Sequence, residues 1–151
     1  MTDTIKKICV INGPNLNMLG KREPEIYGSE TLEHINADLL KLGHELKVDV
    51  TFFQSNHEGA LIDRVHELFE NSIDGVIINP GAFTHTSIAL RDALSMLACP
   101  IIEIHLSNIY KREPFRHKSL VADIAVGQIS GLGHKGYWLA LKAMVDLIDA
   151  S

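Results

Sequence analysis

Apolar residues fall into two alternating patterns along the chain. Compact runs occur at 6–12 (KKICVIN), 75–79 (GVIIN) and 100–106 (PIIEIHL), a period-two alternation runs through Val48, Val50 and Phe52 in 47–54, and a shorter run, VADIAV, lies at 121–126. Each reads as a strand. Between them, spacings of three and four predict helices. The first carries Leu32, Ile35, Leu39, Leu42 and Leu46, with Ser29 as its cap. The second runs from Gly59 to about Asn71 through Leu61, Ile62, Val65, Leu68 and Phe69. The third carries Ile88, Leu90, Ala93, Leu94 and Leu97. The last begins near Lys135 with Trp138, Leu141, Val145 and Ile148.

Five strands alternating with helices imply a parallel sheet covered on both faces. Right-handed crossovers restrict its topology. For five strands in so short a chain the expected fold is α/β, a flavodoxin-like doubly wound sheet of order 2-1-3-4-5. In that order strands one, three and four are neighbours, and their carboxyl ends border the crevice where such sheets bind ligands.

Composition narrows the class. The chain has 151 residues, 46 % of them apolar and 22 % charged, with a formal charge of -5. That size fits a single domain over 1–151, and no linker, repeat or low-complexity tract interrupts it. The negative balance argues against a broad nucleic-acid surface, while local arginines could still hold a small anion. The segment MTDTIKKICV has no apolar signal core and no window is long enough for a membrane span. Cys9 and Cys99 sit in apolar surroundings, as expected for reduced thiols of a cytoplasmic protein.

Chemistry-bearing residues gather after three predicted strands. Strand one leads into NGPNLNMLGKREPEIYG, with Lys21, Arg22 and Tyr27; strand three ends in NPGAFTHTS, with Asn79 and His85; strand four ends in EIHLSN, with His105, Ser107 and Asn108. Singly, each has a plain reading. Arg22 and Lys21 suit solvated loop charges, Tyr27 a loop anchor, and Asn79 before Pro80 a turn. His105 is harder to dismiss. Ile101, Glu103 and His105 share one face of strand four, opposite Ile102, Ile104 and Leu106, and a buried carboxylate and imidazole need partners.

Taken in order, NGPNLNMLGKREPEIYG, FFQSNHEG, NPGAFTHTS, IIEIHLSNIYKREPFR and GLGHKGYWLAL resemble the type II 3-dehydroquinate dehydratases over nearly the whole chain. The resemblance implies a lyase that dehydrates 3-dehydroquinate to 3-dehydroshikimate by trans elimination through an enolate, without cofactor or metal. This is the third step of the shikimate pathway to aromatic amino acids, and the same chemistry serves quinate catabolism. By resemblance Tyr27 is the base, Arg22 stabilises the transition state, Asn15 holds a water or backbone group near the enolate, and His105 is the general acid. Leu106, Ser107, Asn79, His85 and Arg116 contact substrate, and Asp92 reaches the site of a neighbouring subunit in a homododecamer built from trimers. Physically, a phenol with an ordinary pKa of roughly 10 becomes a usable base beside a cation. The long Gly- and Pro-rich loop then suits a lid that closes over substrate.

Competing motifs carry less. GLGHKG at 131–136 has the glycine spacing of a dinucleotide loop, but it precedes the last helix with too little chain left for a further strand. A glycine turn accounts for it. The eight histidines include no HExxH pair. Rival readings are a noncatalytic flavodoxin-like binding module and a different enolising lyase or isomerase.

Overall fold

The computed structural model describes residues 4–27 and 29–150, without the side chain of Tyr27. Among the described residues, strands β1 (Lys7–Asn12), β2 (Asp49–Gln54), β3 (Gly75–Asn79) and β4 (Ile101–His105) are separated by α-helices, β4 and β5 (Gly127–Ser130) by two short 3-10 turns, and the α-helices number six. These are α1 (Pro24–Tyr27), α2 (Leu32–Glu45), α3 (Glu58–Glu70), α4 (Phe83–Thr86), α5 (Ile88–Leu94) and α6 (Lys135–Asp149). The sheet is parallel in the order β2-β1-β3-β4-β5, the flavodoxin-like arrangement expected from the alternation.

Strand periodicity divides the core in two. Ile8, Val10, Ile77, Ile102 and Ile104 face α2 and α6, while Cys9, Ile11, Val76, Ile78 and Ile101 face α3 and α5. β3 and β4 are buried throughout. Burying each Leu, Ile or Val contributes roughly 1.5–3 kcal/mol, so these two layers hold the fold. In α6 the inward stripe is Tyr137, Leu141, Met144 and Ile148; Trp138, placed inward by the sequence pattern, is 42 % exposed. Close approach fixes α6 on the sheet. A Cβ on Gly136 would lie 3.0 Å from Ile104 Cδ1.

Three expectations are corrected. The fifth strand is Gly127–Ser130, not 121–126. Val121 is instead a buried core residue, and the backbone folds back as a turn, with Ile124 and Ala125 N–H both donating to the Val121 carbonyl. α2 is capped by Thr31, whose Oγ1 accepts the His34 N–H at 3.2 Å, rather than by Ser29. The three-residue offset is the one N-capping requires. The third predicted helix is shorter, ending at Leu94, and is preceded by the separate turn of α4.

Register brings the strand tips level. Asn12 pairs with Gln54 on one side and Asn79 on the other, and His105 pairs with Ser130. Among the described residues no helix is long and apolar enough to cross a membrane.

Candidate active site

A cavity of about 240 Å³ opens at the carboxyl edge of β1, β3 and β4. Its wall includes Pro14, Asn15 and Arg22 from the first loop, Asn79, Gly81, Ala82 and His85 after β3, and His105 to Ser107, Ile109, Arg112 and Arg116 after β4. No carboxylate is among these lining residues, so the lining is cationic although the chain is acidic. Of the arginines, Arg22 is the most open, its side chain 42 % exposed against 17 % for Arg112 and 21 % for Arg116. A larger groove of about 500 Å³ runs between α2 and α6, but Asp38, Lys41, Glu45 and Lys135 mix both charges there and no strand tip reaches it. Among the described residues no three His, Cys, Asp or Glu side chains gather to hold a metal ion.

The two loop roots that frame the floor pack backbone to backbone. Gly13 N–H donates to the Asn79 carbonyl at 2.8 Å, and a Cβ on Gly13 would lie 2.4 Å from the Pro80 oxygen. Gly81 has φ +60, and a Cβ there would lie 3.1 Å from the Pro14 carbonyl oxygen. Glycine is required at both positions. Asn15 follows with φ 70 and donates its N–H to Asn56 Oδ1.

His105 is anchored from behind the cavity. Its Nε2 lies 2.5 Å from Glu103 Oε2, and Glu103 is wholly buried. Burial alone would raise the Glu103 carboxyl, but hydrogen bonds from His105, Thr84 and Ser119 prevail and hold it below the ordinary carboxylate range. With Nε2 engaged, Nδ1 is the ring nitrogen of His105 left for a ligand. The ring of His85 stacks on that of His105 with centroids 6.4 Å apart. Burial lowers the His85 pKa, opposed by a 2.8 Å hydrogen bond from Nδ1 to the Lys118 carbonyl. A carbonyl only accepts, so Nδ1 carries the proton and the neutral ring keeps a lone pair on Nε2.

Asn79 is oriented by two partners, of which the Gly81 N–H fixes the polarity of the amide. Gly81 N–H donates to its Oδ1 at 3.1 Å, and its Nδ2 donates to Tyr137 Oη at 3.0 Å. Tyr137 donates in turn to Asn12 Oδ1. All three side chains are buried, and burial raises the Tyr137 phenol far above its ordinary value.

The structure therefore brings Asn15, Arg22, Asn79, His85, His105, Leu106, Ser107 and Arg116 to one cavity. Tyr27 closes α1 by its backbone, and its side chain lies outside the described residues. Asp92 is exposed on α5 and does not line the cavity. The sequence patterns did not single out Arg112, whose Nη1 donates to Ser107 Oγ at 3.3 Å, because a KRE run reads as a solvated face. Tyr137 was missed too, though its place in a 137, 141, 144, 148 stripe was visible. The GLGHKG segment is a glycine turn, with Gly131 and Gly133 N–H donating to the carbonyls of His105 and Leu106. It braces the very strand end that carries the site.

Comparison with known proteins gives a consistent family. A family model described as Dehydroquinase class II matches residues 6–145. The chain is 54 % identical over 144 residues to a 3-dehydroquinate dehydratase of Halothermothrix orenii, covering 95 % of this chain and 97 % of that protein. It is 60 % identical over 136 residues to a 3-dehydroquinate dehydratase of Roseiflexus castenholzii, covering 90 % and 86 % respectively. Among solved structures, the type II dehydroquinase of Butyrivibrio crossotus superposes with a TM-score of 0.91 at 47 % identity, covering 93 % of this chain and 97 % of that one.

Proposed function

The chain belongs to the class II dehydroquinase family, and from that membership we propose that it converts 3-dehydroquinate to 3-dehydroshikimate by a cofactor-free trans elimination through an enolate, with the whole of 1–151 as one catalytic domain. The observation that carries the proposal is the cationic cavity in which Arg22, His105 and the Leu106–Ser107 strand tip meet without a carboxylate in the lining. Such a wall suits an anionic substrate whose reaction builds further negative charge.

The substrate carboxylate binds at Leu106 and Ser107, where strand-end amides and a hydroxyl offer donors. Asn79, His85 and Arg116 hold the ring hydroxyls. The Tyr27 phenolate removes the proton alpha to the ketone, and that electron pair moves onto the ketone oxygen as an enolate. Arg22 and a group held by Asn15 stabilise that oxyanion. On collapse the pair forms the new C=C bond and the C–O bond breaks, with His105 delivering a proton so that water leaves. Arg22 favours the phenolate because a guanidinium stays charged and an adjacent cation lowers a phenol's pKa.

In the cell we place this reaction in the cytoplasm, in the shikimate pathway to aromatic amino acids. The protomers form trimers that group into a dodecamer, with Asp92 donated across a subunit boundary. The chemical proposal is tested by the ultraviolet absorbance of the conjugated enone as 3-dehydroquinate is consumed. Tyr27→Phe, Arg22→Ala and His105→Ala should each lose at least about a hundredfold in kcat while keeping their fold. Near-normal turnover by Tyr27→Phe would remove the assigned base. For the assembly, sedimentation of the wild type and of Asp92→Ala decides; a fully active monomer would remove the shared site.

A further inference from the structure

Behind His105 sits a group of hydroxyls that the elimination itself does not use. Glu103 is wholly buried on β4 and does not line the cavity. Its Oε2 accepts from Thr84 Oγ1 at 2.5 Å, on α4, and from His105 Nε2 at 2.5 Å. Ser119 Oγ lies 2.8 Å from both carboxylate oxygens. Ser119 also accepts two backbone N–H groups, from Val121 at 3.1 Å and Ala122 at 3.0 Å. A hydroxyl has one hydrogen and two lone pairs. With both lone pairs taken, Ser119 is left with its hydrogen alone, within reach of both Glu103 oxygens at 2.8 Å and of Thr84 Oγ1 at 2.9 Å; since Thr84 gives its own hydrogen to Glu103, either route ends on the carboxylate. The corner therefore offers the carboxylate donors from three elements.

We infer that Thr84 and Ser119 are positioning residues that keep Glu103 ionised, so that it remains an acceptor for His105 and fixes the acid's ring against the cavity. This rests on the role proposed for His105 and extends it to two side chains that do not line the cavity. A protonated Glu103 would need an acceptor for its own hydrogen. Ser119 cannot supply one, so the hydrogen would have to go to Thr84 Oγ1 or to His105 Nε2, and in the latter case the ring would accept from Glu103 instead of donating to it. The other groups facing this corner, among the described residues, are His85 stacked on His105, Arg112 and Arg116 across the cavity, Ile78 of β3 and Gln128 of β5, the last two in register with Glu103. Arg112 and Arg116 line the cavity, which Glu103 itself does not reach.

The test follows Glu103 protonation by the infrared carboxylic-acid band that Glu103→Gln lacks, alongside the pH profile of kcat. Thr84→Val keeps the side chain's shape and removes one donor. It should raise the midpoint of the band, and the acid limb of kcat with it, by about one pH unit, the size expected for one lost hydrogen bond to a charged group. Ser119→Ala should do the same, whereas Ser119→Thr and Thr84→Ser, which retain the hydroxyl, should keep the wild-type midpoint. Ser119→Ala also removes a backbone cap, so Thr84→Val decides if that variant unfolds. Unchanged midpoints in a folded Thr84→Val protein would overturn the inference, as would equal shifts in Ser119→Thr and Ser119→Ala. The infrared midpoint needs no turnover. A chain that shows the shift yet does not dehydrate 3-dehydroquinate would sink the proposed reaction and leave the clamp standing.

Discussion

Asn15 and Asn56, 41 positions apart, are joined by a 2.9 Å hydrogen bond from the backbone N–H of the first to the side-chain oxygen of the second. Gln54 completes the bracket, its Nε2 donating to the Gly13 carbonyl at 3.1 Å and to Asn56 Oδ1 at 3.2 Å. The tip of β2 thereby ties down the root of the first loop where Asn15 takes up a left-handed backbone. The QSN stretch of FFQSNHEG thus has a mechanical use. It sets the starting direction of the segment that carries Arg22.

Asn56→Ala should therefore cost activity as well as stability. Loss of its two exposed hydrogen bonds, from the Asn15 N–H and from Gln54 Nε2, should lower unfolding free energy by about 1–2 kcal/mol, near the low end of the range of roughly 0.5–1.5 kcal/mol for each. Misdirecting the loop should lower kcat/KM by about tenfold, the scale of a small positional error at a reacting centre. Urea unfolding and steady-state kinetics on one preparation measure both. A variant with normal kcat/KM would show that the loop root needs no bracket.

Tyr137→Phe removes the centre of the buried Asn12–Tyr137–Asn79 chain. It leaves polar groups of both asparagines without this partner, at a cost of about 1–3 kcal/mol. Asn79 loses one of the two contacts that hold its amide, so KM should rise several-fold. In an Asn79→Ala background the same substitution should leave KM unchanged. Additive effects on KM would mean that the phenol acts by some route other than Asn79.

Acid should weaken the fold in two stages. His85 has a lowered pKa in the folded chain, so below its ordinary value of about 6.5 the unfolded state binds more protons and stability falls with pH. Glu103 is held below its ordinary range, so its contribution is complete above about pH 4.3 and is lost as pH drops through the lower folded value. Denaturant midpoints from pH 7.5 to 5 should decline less in His85→Gln than in the wild type. The later decline should be blunted in Glu103→Gln. Parallel curves for wild type and His85→Gln would contradict the first stage.

The legible parts of this chain are those whose signal is local. Ile8 to Ile11, Val76 to Ile78 and the stripe Leu32, Ile35, Leu39, Leu42 show their period directly, and they fix the sheet order and the end where ligands bind. Arg22, Asn79, His85, His105 and Ser107 were visible because each ends or follows a recognisable strand, whereas Asn15, Leu106 and Arg116 came only with the family resemblance and Arg112 with neither. β5 was not, because an edge strand of sequence GQIS has little apolar signal, while the apolar 121–126 segment fills the core as a turn. Ser119 lies 16 positions from Glu103 and Tyr137 lies 125 from Asn12; a hydroxyl's partner at such separations leaves no trace in periodicity. Roles that arise only where distant elements meet have to be read from the folded chain.

The contact between Gly13 and Pro80 bears on redesign. Where two main chains touch, there is no side chain to trim, so the floor beneath a ligand cannot be lowered by substitution. Accommodating a bulkier cyclic acid would mean remodelling the outer rim around Ile109 and Arg112, and a library confined to residues 13 and 80–81 should yield misfolded protein rather than new selectivity.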